Sequence, residues 1–242
     1  MWSGPRNIST ALMRSFGARS DCFVSDEPFY GCFLKDTGAD HPMAAEVIAA
    51  MDCDWHVVAQ TLAGDPPQGA ALWYQKHMTH HMTGPIQPDD LAGVRHAFLI
   101  REPARMIASY LGKREAVSAD DLGYHTQRAF FERIAERQGF APPVVDSADV
   151  LRDPAGTLAV LCGALEIDWD PAMLRWAPGR RATDGVWAPH WYNRVEATTG
   201  FAAPDESPVS LPSETAGLLA ECGAHYEALR RYALTAQQPS SS

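Results

Sequence analysis

Gly4-Pro5-Arg6-Asn7-Ile8-Ser9-Thr10 joins a glycine and a proline to an arginine and two hydroxyls. It leads directly into residues 11–16, where Leu12 and Phe16 fall on one helical face. A turn feeding a helix start gathers free backbone N–H groups at the positive end of the helix dipole. With Arg6 as counter-charge, such a turn can hold a phosphate or a sulfate. It lacks the Gly-Lys-Ser/Thr ending of the nucleoside-triphosphatase loop, so taken alone it reads better as a capped helix beside a surface arginine.

Four later stretches carry chemistry of matching kind. Cys22-Phe23-Val24-Ser25 reads as a strand delivering Asp26 and Glu27, before Pro28-Phe29, to one sheet edge. Residues 70–75 read as a strand that ends at Lys76, followed by His77, His80 and His81. The spacing of His77 and His81 admits a metal site, but Thr83-Gly84-Pro85 follows and no nearby carboxylate completes one, so a polar loop is expected and no metal. Residues 96–100 form the next strand and close on Arg101-Glu102-Pro103, with Ser109 eight positions after Arg101 on the helix expected over 104–113. A strand-end arginine and a helix serine can share one phosphate. The fourth stretch is the Gly- and Pro-punctuated loop 176–187, with Arg180 and Arg181 adjacent. Paired arginines in an acidic chain point to an anion.

The elements that must position these groups alternate. Strands are expected near 22–25, 70–75, 96–100 and 143–146, with helices over 44–51, 55–62, 104–113, 120–138, 157–165 and 214–233. This is an α/β pattern: a mostly parallel central sheet with helices on both faces, of the P-loop nucleotide-binding type. Only Met1 and Trp2 precede the anion loop, where such a fold places a central strand. Either that strand is missing or the natural start lies upstream; the second is expected, since a missing central strand leaves unpaired backbone in the core. A few added apolar residues would then raise stability. Residues 1–236 are read as a single domain and 237–242 as a disordered tail.

The 242 residues, 46% hydrophobic and 21% charged, suit one sizeable α/β domain. A net charge of −10 argues against nucleic acid or an anionic membrane surface as partner, so any anionic ligand must meet a local cluster of arginine and lysine. Five scattered cysteines without a Cys-x-x-Cys pair, no apolar run of membrane-spanning length and no leader pattern are read as a cytoplasmic protein with free thiols.

In this order the motifs resemble those of the sulfotransferases, P-loop-like enzymes that use 3′-phosphoadenosine 5′-phosphosulfate (PAPS). Residues 4–10 look like the family's 5′-phosphosulfate loop, Arg101 with Ser109 matches its 3′-phosphate motif, and residues 180–187 are similar to its late Arg-Lys-Gly-x-x-Gly-Asp-Trp segment. Departures are Asn7-Ile8 for Ser-Gly, Ala182 for glycine and Val186 for aspartate. Where cytosolic members have Lys-Thr-His, this chain has Lys76-His77-Met78. Several bacterial members use a glutamate in a turn like Glu27-Pro28-Phe29. The resemblance implies in-line sulfuryl transfer from PAPS to a hydroxyl of a small-molecule acceptor, without a metal. Glu27 would be the base, with His77 as runner-up. Arg6 and the backbone N–H groups of the loop Gly4-Pro5-Arg6-Asn7-Ile8, in which Pro5 has none to give, would stabilise the developing charge, and Ser9 and Thr10 would orient the 5′-phosphate. Lys76 would assist at the sulfuryl oxygens, while Arg101, Ser109, Arg180 and Arg181 would grip the 3′-phosphate. The alternatives are a nucleotide-dependent kinase, with Asp26 as metal ligand, and a non-catalytic nucleotide-binding protein. Acceptor identity and oligomeric state are open at this level.

Overall fold

The computed structural model describes residues 1–112 and 116–236. The expected tail and the expected end of the 104–113 helix at Lys113 lie outside them. Among the described residues five strands, β1 Trp2–Ser3, β2 Cys22–Asp26, β3 Leu72–Met78, β4 Phe98–Ile100 and β5 Val144–Asp146, pair in parallel in the order β2-β3-β1-β4-β5. The central strand is therefore not missing. It is two residues long, and its pairing with β3 is extended by Met1, whose backbone nitrogen donates to the Gln75 carbonyl at 2.8 Å and whose carbonyl accepts from His77 N at 2.9 Å.

Alternation along the strands sorts side chains into two cores. Leu99 and Val145 pack with Leu12, Met13 and Phe16 of α1 (Ser9–Phe16). Trp2, Phe98, Ile100 and Val144 pack into the other core. The helices joining the strands are α2 Tyr30–Thr37, α3 Ala44–Ala50, α4 Trp55–Leu62, α5 Pro103–Leu111, α6 Ala119–Leu122 and α7 Tyr124–Gln138. Beyond β5 come α8 Ser147–Arg152, α9 Pro154–Ala164, α10 Ala188–Trp191, α11 Asn193–Glu196 and α12 Ala216–Arg230. Leu158 and Leu161 of α9 cover the first face, while Val58 of α4, Phe130 and Phe131 of α7 and Leu229 of α12 cover the second. This is the expected parallel sheet with helices on both faces.

Two expectations are corrected. β3 runs to Met78 rather than stopping at 75, because Lys76 stays in register with Asp26 of β2. The single helix expected over 120–138 breaks at Gly123, which has φ +68°; a Cβ there would lie 2.7 Å from Thr79 Oγ1, so only glycine lets the chain turn this close to the end of β3.

The late loop is anchored to the sheet by charge. Asp184 accepts two bonds from the Arg14 guanidinium of α1, at 2.5 and 2.7 Å, with both side chains almost fully buried. Removing one partner strands the other charge in the interior. We expect Arg14→Met to lose about 3–5 kcal/mol of unfolding free energy in urea denaturation, and Arg14→Met with Asp184→Asn to recover part of it. Equal losses in single and double variants would show that the pair does not hold the loop.

Candidate functional site

The carboxyl ends of β1 and β4 open onto a cavity of about 450 Å³. Its floor is the anion loop. Gly4 is needed at the strand exit, where a Cβ would approach the Leu122 carbonyl to 2.7 Å. Asn7 pins the turn to the sheet by donating to the Leu99 carbonyl at 3.1 Å and accepting from Ile8 N at 2.9 Å. Gln127 of α7 braces the same carbonyl and that of Trp2. Arg6 takes a left-handed backbone, φ +52°. α1 then begins with no side-chain cap, and Pro5 through Ala11 line the cavity. An uncapped helix start facing a cavity is a place for an anion.

One wall is basic. Arg101 Nη1 donates to the Arg6 carbonyl, Arg6 Nε to Ser109 Oγ at 3.3 Å, and Tyr124 holds the Arg101 carbonyl at 2.5 Å. Arg105 and Arg194 also line the cavity. Arg105 is paired with Glu102 at 3.2 Å, but Arg6, Arg101 and Arg194 have no ion-pair partner among the described residues. Burial, then Arg194, pulls the Arg6 pKa down. Burial also lowers that of Arg101, against an upward pull from Tyr124 and with Arg105, Arg6 and Arg194 adding to the fall. Guanidinium stays charged through such shifts. Like charges crowded together without acids are stabilised by a bound anion.

The opposite wall is built on Lys76. Its register with Asp26 sets ammonium and carboxylate side by side, with Nζ 2.8 Å from Asp26 Oδ1. It also bonds Glu27 Oε1, and lies 3.0 Å from the Tyr192 hydroxyl. Tyr192 in turn donates to Asp26 at 2.7 Å, and Gly185 N donates to Asp26 Oδ2 at 3.3 Å. Burial works to lower the Lys76 pKa but the Asp26 and Glu27 carboxylates outweigh it, so the ammonium is held well above its usual range. Burial raises Glu27, opposed by Lys76. Glu27, Lys76, Met78, His80 and His81 line the cavity, facing Trp187, Trp191 and Tyr192 of the late segment.

Of the residues named from sequence, the cavity brings together Pro5, Arg6, Asn7, Ile8, Ser9, Thr10, Glu27, Lys76, Arg101 and Ser109. Gly4 shapes the turn without lining it. His77 does not line it either: along β3 Lys76 and Met78 face one side and His77 the other, where it stacks on Trp2 with ring centroids 4.4 Å apart and approaches Phe29. Arg180 and Arg181 also lie off the cavity lining. Arg180 is exposed, and Arg181 turns back on its own loop to donate to the carbonyls of Ala177, Pro178 and Gly179.

The family model for the sulfotransferase domain matches residues 1–233. The chain belongs to the sulfotransferase domain family. Two curated relatives from Arabidopsis thaliana are branched-chain-amino-acid aminotransferase-like proteins 2 and 1, at 34% and 36% identity over 95% and 96% of this chain. The chain spans about two fifths of their length, 40% and 41%. The sulfotransferase domains from the curacin biosynthetic pathway and from the Synechococcus PCC 7002 olefin synthase align over 92% of the chain, and over 95% and 92% of their own, at 15% and 17% identity and a TM-score of 0.45.

Arg194 in this sulfotransferase domain was missed from sequence, and the contacts of Tyr192 and His81 with the acidic wall were not foreseen there. Arg194 sits on a four-residue helix that carries no motif, and Tyr192 reads as one aromatic among several. His81 reads as part of a polar loop. Among the described residues no three His, Cys, Asp or Glu side chains are grouped to hold a metal, and no helix is long and apolar enough to cross a membrane.

Buried histidines make stability depend on pH. Burial first, then neighbouring basic groups, holds His77 and His81 well below their usual range and His80 at about 3, against an ordinary 6.5. Below pH 6.5 the unfolded chain binds protons at these rings and the folded chain does not, so stability falls as pH drops from 6.5 toward 3. Each histidine contributes up to about 1.4 kcal/mol per pH unit in that window. Urea unfolding of His77→Phe, which keeps the ring stack, should show a shallower fall than wild type; an identical slope would contradict the assignment.

Proposed function

We propose that this domain transfers a sulfuryl group from PAPS to a hydroxyl of a small-molecule acceptor, with residues 1–236 acting as one domain. The observation that carries the reading is the trio of guanidiniums with no ion-pair partner among the described residues, Arg6, Arg101 and Arg194, lining one cavity with an uncapped helix start in a chain of net charge −10. The residues fit a nucleotide with anionic groups at two places. The anion loop with Ser9 and Thr10 would hold the 5′-phosphosulfate, and Arg101, Ser109 and Arg194 the 3′-phosphate. Bound there, PAPS supplies the sulfuryl group.

The chain's own residues supply position and charge, which dominate transfers with loose transition states. Arg6 and the α1 N–H groups face charge developing on the leaving side. Lys76, fixed between two carboxylates and a phenol, keeps an ammonium at the cavity wall, and Glu27 provides the carboxylate on which deprotonation of the acceptor depends. The aromatic segment 187–192 closes this end of the cavity and limits water. The kinase reading needs Asp26 as a metal ligand. Both its oxygens are taken by Lys76, Tyr192 and Gly185 N, and its side chain is 1% exposed, which favours sulfuryl transfer.

Calorimetric titration tests the pocket. Wild type should bind 3′,5′-ADP at least about tenfold tighter than 5′-AMP, since a charge-assisted contact to an extra phosphate is worth about 1.5–3 kcal/mol. Arg101→Ala and Arg194→Ala should each lose most of that preference, and Arg180→Ala should keep it. No preference in wild type, or loss in Arg180→Ala with Arg194→Ala unaffected, would overturn the assignment of this wall.

A further inference from the structure

After Met78 the chain makes one 3-10 turn, Thr79–His81, and returns a histidine to the cavity that Met78 lines. His81 is 3% exposed. Its ring is clamped flat on Tyr30, centroids 4.3 Å apart at an interplanar angle of 1°, and against Phe33 at 4.8 Å. This stack fixes where the ring nitrogens lie. Nδ1 is buried, has no hydrogen-bond partner, and stands 3.7 Å from Glu27 Oε2. The other oxygen of that carboxylate is bound to Lys76. Glu27 itself is held with φ +46° and with its N–H donating to the Lys76 carbonyl at 2.9 Å, so the carboxylate is aimed rather than free.

A buried polar nitrogen left without a partner is costly, and here it faces an acid across a cavity. Charge counting gives the reason to keep it. One ammonium, Lys76, meets two carboxylates, Asp26 and Glu27, with the neutral phenol of Tyr192 between them. With both acids ionised, this buried group is one positive charge short. A proton placed on His81 would balance it. The groups facing the ring are Tyr30 on α2, His41 ahead of α3, His80 on the same turn, Lys76 on β3 and Glu27 at the end of β2. Burial, then His80, His41 and Lys76, keeps the resting imidazole neutral, as a base must be before it takes a proton.

We propose that His81 and Glu27 act as an imidazole–carboxylate pair, in which His81 takes the acceptor's proton and Glu27 holds the imidazolium that results. This rests on the sulfotransferase reading and adds a catalytic residue to it. The acceptor O–H bond breaks and its proton goes to His81 Nε2. The oxygen's electron pair forms the new O–S bond, while the S–O bond to the nucleotide phosphate breaks and its pair leaves on that phosphate. Nδ1–H stays directed at Glu27 Oε2, and the buried cluster passes from one net negative charge to none. Contacts of this kind are often long before substrate binds and tighten in the complex.

The test has two arms. His81→Phe keeps the ring stack and removes both nitrogens; its kcat should fall about 10²–10³-fold while its affinity for 3′,5′-ADP stays within about twofold of wild type. Nitrogen NMR of the unliganded protein should show His81 protonated at Nδ1, with its titration shifted in Glu27→Gln. A His81→Phe enzyme with kcat within about threefold of wild type, or a His81 resonance indifferent to Glu27→Gln, would overturn the pair and leave Glu27 acting alone. Failure of wild type to prefer 3′,5′-ADP is a separate result. It would sink the sulfotransferase reading, while the NMR arm would still report whether His81 and Glu27 are coupled.

Discussion

The arrangement depends on one buried ammonium. Lys76 is 1% exposed and holds Asp26, Glu27 and Tyr192 around a single nitrogen. Two carboxylates this close and this buried could not both stay ionised without it. Because Asp26 lies on β2, Lys76 on β3 and Tyr192 beyond α10, one charge ties two strand ends to a segment more than a hundred residues away. Gly185 N reaches the same carboxylate, so the late loop is docked by this centre as well as by Arg14 and Asp184. The aromatic wall of the cavity is positioned as a consequence.

A second imbalance lies across the cavity. The acidic wall holds a counter-ion of its own in Lys76, whereas Arg6, Arg101 and Arg194 on the basic wall have no ion-pair partner among the described residues, although the chain carries ten more acidic than basic side chains. A protein does not stabilise itself this way. Unpaired guanidiniums beside an uncapped helix start raise the energy of the empty site and are relieved by an anionic ligand. The cavity thus separates an anion-binding end from a proton-handling end, the division that group transfer from an anionic donor to a hydroxyl requires.

What could be read from sequence followed the strand ends. The anion loop, Asp26-Glu27, Lys76 and the Arg101–Ser109 spacing are each local to the carboxyl end of a parallel strand, and a parallel sheet brings such ends to one edge. The fold class was legible for the same reason. What failed depended on direction rather than position. The expected end of β3 at residue 75 hid the period of two that turns His77 into the core beside Trp2, so the histidines of this segment that reach the cavity come one turn later, at His80 and His81. Arg180 and Arg181 matched a motif, yet Arg181 spends its donors on the carbonyls of its own loop, and a residue thirteen positions after Arg181, Arg194, faces the cavity instead. Side-chain direction in an irregular loop is set by tertiary contacts that adjacent residues do not encode. The break at Gly123 was hidden similarly, because the contact that requires it is with Thr79.

The most direct test of the central claim is a label-transfer assay with two donors. Sulfur-labelled PAPS and γ-phosphorus-labelled ATP are each incubated with the domain and a mixture of hydroxyl-bearing small molecules, and products are separated by chromatography. The account predicts that sulfur label moves to an acceptor with release of one 3′,5′-ADP per product, and that phosphorus label does not move. Transfer from ATP with none from PAPS would contradict it.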